Sequence, residues 1–129
     1  MIYGAIYRFE GQVAVFNHTG KNGELSAQYR DLFIDPPANM PNCSEAGVMG
    51  VLPGIIGTMQ ANEAIKLITG TGKPIINKIF TYNSLNNQTF EMELQPTQAA
   101  LEAVPASREL LEKANYSFDC DFSTQPAVI

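Results

Sequence analysis

No tryptophan, one histidine and two cysteines occur in these 129 residues, and each scarcity removes a class of chemistry. A structural zinc site needs four thiol or imidazole donors at short spacing, and neither Cys43 nor Cys120 belongs to a CxxC pair. No zinc or other metal site is therefore expected. His18 lies in "NHTGKNG", a turn-rich surface stretch, and has no second histidine to share a metal or serve a Cys–His dyad. The two cysteines permit one disulfide, but this usage fits reduced thiols in a cytoplasmic protein better. Basic residues are few as well. Eight Lys+Arg against 13 Asp+Glu give a net charge of −5, with no Lys/Arg cluster anywhere. Displacing counterions from nucleic acid takes concentrated positive charge, so that partner is excluded, and the acidic balance disfavours anionic membranes. No apolar run approaches the roughly 18 residues that cross a bilayer. The opening "MIYGAIYRFEGQ" lacks a basic stretch ahead of its apolar residues and reads as a strand, not a leader.

What is present describes one ordinary globular domain. Hydrophobic residues make up 45% and charged residues 16%, and a chain this long buries roughly two thirds of its extended surface. Residues 3–9, "YGAIYRF", and 12–17, "QVAVFN", are β-rich runs separated by Glu10-Gly11, which predicts an antiparallel hairpin. Residues 18–24 form a turn-rich loop. Three prolines and two asparagines in "YRDLFIDPPANMPNC", 29–43, predict an irregular loop, long enough to be functional.

The stretch "NCSEAGVMGVLPGIIGTMQANEAIKLITG", 42–70, is the least generic part. At 100° per residue, Gly50, Gly54, Gly57, Ala61, Ala64 and Ile68 fall on one stripe of a helix. The opposite side carries Leu52, Ile55, Ile56 and Met59, then Gln60, Asn62, Glu63 and Lys66. Glycine costs about 1 kcal/mol against alanine inside a helix, so the stripe predicts close approach of another backbone. Gly70, Gly72 and Pro74 end the helix. A second hairpin follows, 74–83 and 88–94 around Ser84–Asn87, whose last strand puts Phe90, Met92 and Leu94 on one face. "SRELLEKA", 107–114, fits a short helix capped by Ser107. The expected class is thus α+β: two antiparallel hairpins packed with one glycine-edged helix.

Chemistry is sparse. "GVMGVLPG" follows a proline-rich loop and not a strand, so it fails the dinucleotide fingerprint, and no GxxxxGK[ST] exists. Cys43 precedes a helix start, where a thiolate is favoured, so it is the candidate nucleophile; an inert loop thiol is the alternative. Glu45 and Glu63 have no visible partner and read as solvated carboxylates.

Three segments, "YGAIYRFEGQVAVFN", the run from Tyr29 to Pro74 and "IFTYNSLNNQTFEMEL", resemble in order and spacing the second half of the molybdopterin-synthase and thiamine-biosynthesis adenylyltransferases. These are bacterial relatives of ubiquitin-activating enzymes, homodimeric α/β proteins that use ATP and magnesium. They adenylate the C-terminal glycine of a ubiquitin-like sulfur carrier in molybdopterin or thiamine biosynthesis. The resemblance implies that residues 1–96 are the C-terminal subdomain of that fold, with 29–43 as the crossover loop over the carrier's tail. Residues 97–129 would be a linker or docked tail, leading in some members to a rhodanese domain. Cys43 matches the loop cysteine that accepts the activated carboxylate or sulfur in some members and is dispensable in others. The glycine-edged helix matches one near the dimer interface. Many members bind zinc through a CxxC where this chain reads Gln28-Tyr29-Arg30-Asp31 and another near Leu94–Ala99; both pairs are missing here. The family's glycine-rich ATP loop, arginines, lysine and magnesium-binding aspartate have no counterparts either. The resemblance therefore implies a fragment without a cofactor of its own, inactive alone, with a non-catalytic carrier-binding or dimerisation module as the alternative reading.

Overall fold

A computed structural model describes residues 1–33, 47–104 and 107–113. Cys43, Glu45 and most of the expected crossover loop lie outside them, as do Cys120 and the end of the tail. Two strands, β1 (Ile2–Tyr7) and β2 (Glu10–Val15), form the first hairpin, and β3 (Lys78–Asn83) and β4 (Gln88–Glu93) form the second. The hairpins are not separate ribbons. β2 pairs antiparallel with β3, Val13 opposite Phe80, giving one four-stranded sheet in the order β1-β2-β3-β4. The class is α+β, as expected.

The second hairpin turns at Ser84–Asn87, where Asn87 takes a left-handed conformation. The first turns two residues earlier than the composition suggests. Tyr7 pairs with Glu10, so Arg8 and Phe9 make the turn and Arg8 takes a positive φ of 51°. Gly11 is thereby freed for a different task. A second departure concerns residues 29–43: Tyr29–Leu32 is not irregular but a helical turn, α1, opened by Gln28.

The long helix, α2 (Leu52–Thr69), has Pro53 in its first turn, where no intrahelical N–H is missed. It stops at Gly70, whose φ of 70° lets its N–H reach Lys66 O at 2.9 Å. Short helices α3 (Gln98–Glu102) and α4 (Arg108–Lys113) follow the sheet, and Ser107 Oγ accepts from Leu110 N as its capping role requires.

Alternation divides the sheet into two faces. On one, Val13 packs with Leu52 and Ile56 of α2, flanked by Met49, Met59, Ile75 and Tyr82. On the other, Ala14, Phe16, Ile79 and Leu94 gather with Ala27, Tyr3 and Leu32 of α1. β2 is buried on both faces because a helical element covers each. β4 is exposed along its whole length.

The helix seats itself by the side opposite its glycines. Leu52, Ile56 and Glu63 are buried, whereas a Cβ at Gly50, Gly54 or Gly57 would meet nothing within 4 Å. Close approach does occur, but the strands supply it. The Ile56 side chain fills the space above Gly11, and the Gln60 amide fills that above Gly4. Among the described residues, no backbone approaches the glycine stripe of α2.

Candidate functional site

Cys43, the candidate nucleophile, lies outside the described residues, so the site is built from the two roots of the segment that bears it. The first root is α1. Its Tyr29 ring meets Tyr3 at 5.8 Å, Phe16 edge-on at 6.2 Å and Phe33 at 5.1 Å. Tyr3, half-buried here, has its pKa raised by desolvation and then by neighbouring Tyr29. Beside these rings opens a cleft of about 460 Å³ lined by Tyr3, Asn17, Gln28, Tyr29, Arg30 and Val104. Gln28 Nε2 is buried there without a hydrogen-bond partner among the described residues.

The second root is Gly47–Met49. Val48 bridges Arg8, and Met49 N donates to Arg8 O at 3.0 Å, which fixes this root at the first hairpin's turn. Tyr3, against which the first root packs, is near the other end of β1. Between Phe33 and Val48 the chain therefore passes from α1, on one face of the sheet, to α2, on the other.

Two polar assemblies join separate segments of the chain. Glu63 is 2% exposed, although the helical wheel groups it with solvated residues. Its Oε1 accepts from Lys66 Nζ and its Oε2 from Ile75 N at 2.8 Å, which ties the last turns of α2 to the segment entering β3. The second assembly centres on Asp31. Oδ2 accepts from Gln28 N at 2.8 Å, while Oδ1 accepts from both Thr97 N and Thr97 Oγ1 at 2.7 Å. Desolvation pulls the Asp31 pKa upward, but these donors outweigh it and hold the carboxyl below its ordinary value. The Asp31 assembly has no signature in spacing, because Thr97 and Asp31 are 66 residues apart. The only local hint was Thr97 three residues ahead of Ala100, the spacing of an N-cap.

Of Phe90, Met92 and Leu94, placed on one face by their alternation, only Leu94 is buried, at 6%. Phe90 is 66% exposed and Met92 41%, on a strand that α1 and α2 do not reach. An exposed edge strand bearing an aromatic is open to pairing with another chain or to apolar contact. Among the described residues no three His, Cys, Asp or Glu side chains converge as a metal set, and no helix is long and apolar enough to cross a membrane.

The ThiF family model matches residues 1–103. A sulfur carrier protein adenylyltransferase of Thermus thermophilus is 40% identical over 116 residues, covering 87% of this chain and 43% of that protein. A probable molybdopterin-synthase adenylyltransferase of Pyropia yezoensis is 41% identical over 103 residues, 78% of this chain and 26% of its own length. The probable adenylyltransferase/sulfurtransferase MoeZ of Mycobacterium tuberculosis is 33% identical over 121 residues, 92% and 29% respectively. The chain spans less than half the length of each of these relatives. With a family match over residues 1–103, the chain belongs to the ThiF family.

Proposed function

We propose that this chain is the carrier-facing portion of an ATP- and magnesium-dependent adenylyltransferase. The whole enzyme activates the C-terminal glycine of a ubiquitin-like sulfur carrier for molybdopterin or thiamine biosynthesis in the cytoplasm. The nucleotide chemistry belongs to a glycine-rich loop that these 129 residues do not contain. The observation that carries this reading is β4. Its apolar pair, Phe90 and Met92, stands exposed on an edge strand beside Glu91 and Glu93, and contributes little to the core. A folded carrier with an apolar patch fits that surface, and the names of the relatives give its class. Cys43, placed by sequence in the crossover segment, is the proposed acceptor of the activated carboxylate or of sulfur.

The test is titration of a labelled ubiquitin-like carrier ending in Gly-Gly. Binding in the micromolar range is expected, and Phe90→Asp should weaken it at least tenfold with the melting temperature unchanged, as for a central interface aromatic. No binding at high micromolar carrier would sink the proposal. Pyrophosphate exchange with ATP and carrier should be undetectable for this chain alone.

A second reading is that the chain acts by itself as a carrier-binding or dimerisation module. The open glycine edge of α2, continued by Ile65 at 59% and Ile68 at 84% exposure, favours it. Light scattering that shows a monomer at high protein concentration would exclude the dimer.

A further inference from the structure

Family resemblance implies zinc ligands at two places, 28–31 and 94–99, and the present residues do not fit a metal. Gln28-Tyr29-Arg30-Asp31 and Leu94 through Ala99 contain no thiol and no imidazole. Asp31 brings the one carboxylate, and both of its oxygens already face hydrogen-bond donors. A cation placed there would confront N–H and O–H groups instead of lone pairs.

The two segments are nevertheless joined. We infer that a carboxylate clasp, Asp31 to Thr97, connects α1 to the chain leaving the sheet, at the place where zinc does so in many relatives. Each end of the clasp also organises its own element. Through Oδ2, Asp31 holds Gln28 N and closes the first turn of α1. Thr97 Oγ1 gives its proton to Asp31 and accepts from Ala100 N at 3.2 Å, so the same hydroxyl caps α3. Ala100 is thereby held at 2% exposure. A charged acceptor with three short donors is stronger than a neutral hydrogen bond, and the chain at Thr97 is fixed by both backbone and side chain. The clasp thus orders the post-sheet segment and steadies the α1 root of the crossover segment without a metal.

The experiment uses the full 129-residue chain with or without added zinc, then with EDTA. Zinc content is read by mass spectrometry, thermal unfolding by circular dichroism, and hydrogen exchange at the Leu101 and Ala103 amides by NMR. Those amides are protected by Thr97 O and Ala99 O. Substoichiometric zinc and an EDTA-insensitive melt are expected. Asp31→Ala should speed exchange at both amides about tenfold or more, the effect of losing a charged hydrogen bond. Should that variant not fold, Thr97→Val keeps the Asp31–Gln28 bond and removes the hydroxyl, and must accelerate the same amides. Thr97→Ser, which retains it, must not. Stoichiometric zinc, a melt lowered by EDTA, or unchanged exchange in both Asp31→Ala and Thr97→Val would overturn the clasp.

Discussion

α2 presents glycines on one side and rests on glycines with the other, and the two sets do different work. Gly4 and Gly11 lie in β1 and β2 where a Cβ would collide with Gln60 and Ile56; Gly50, Gly54 and Gly57 look into open space. A missing side chain favours close packing only where something arrives to use the room. Among the described residues the strand glycines are the packing residues, while Gly54 and Gly57 carry a helix-propensity cost with nothing filling the space beside them, and Gly50 precedes the helix.

The contrast breaks most readily at the seated face. Leu52 is fully buried between α2 and the sheet, so Leu52→Ala should cost about 2–5 kcal/mol in chemical denaturation. Val51, its neighbour at 63% exposure, should cost under about 0.5 kcal/mol when changed to Ala. Equal losses would mean that α2 is turned differently on the sheet. Next comes Glu63. Its removal leaves Ile75 N–H without its acceptor and Lys66 without its carboxylate, so Glu63→Ala should cost about 1–3 kcal/mol. Glu63→Gln keeps an acceptor for Ile75 and should cost less. Gly11→Ala should destabilise by a similar 1–3 kcal/mol through overpacking, roughly, and Ile56→Val should relieve part of that loss in the double variant. Additive effects would show that the two groups do not touch.

Sequence periodicity revealed how many strands exist, where the second hairpin turns and where α2 stops, because alternation, Asn87 and Gly70 are local signals. It did not reveal what covers each face. Phe90 and Met92 alternate as core residues do, yet no helix reaches them. Glu63 looks solvated on a helical wheel, and only the chain returning at Ile75 explains its burial. Glu10-Gly11 resembles a turn by composition, but Gly11 is spent beneath Ile56 and Arg8 accepts the positive φ instead. Long-range partners decide each of these, and a linear pattern contains none of them. For the candidate site the sequence proposes Cys43 and the crossover segment, while the Asp31–Thr97 connection emerges only once distant segments meet.

The Asp31 clasp has a pH signature of definite sign. Its folded pKa is held below the ordinary value, so its contribution is present above the unfolded carboxylate pKa of about 4 and is lost as pH falls through the lower folded value. The stability difference between the native chain and Asp31→Asn should therefore shrink between pH 5 and pH 2, roughly. Denaturation curves for both at several pH values give the answer, and a difference that is flat or grows on acidification contradicts the geometry.

The smallest effect is the most discriminating. Gly54 sits inside α2 with no atom of the described residues within 4 Å of its Cβ position, so Gly54→Ala should stabilise the monomeric chain by about 0.5–1 kcal/mol through lower unfolded-state entropy. If a second copy or another protein lies along the glycine edge, the added methyl meets it, and the gain in the monomer turns into weaker association. Measuring stability at low concentration and sedimentation at high concentration on the same variant separates the two. A gain in stability with unchanged association leaves the glycine edge without an occupant and removes the dimer reading. A gain in stability with weakened association shows that the room left on that side of α2 is used by something outside the chain, as the room above Gly11 is used by Ile56 within it.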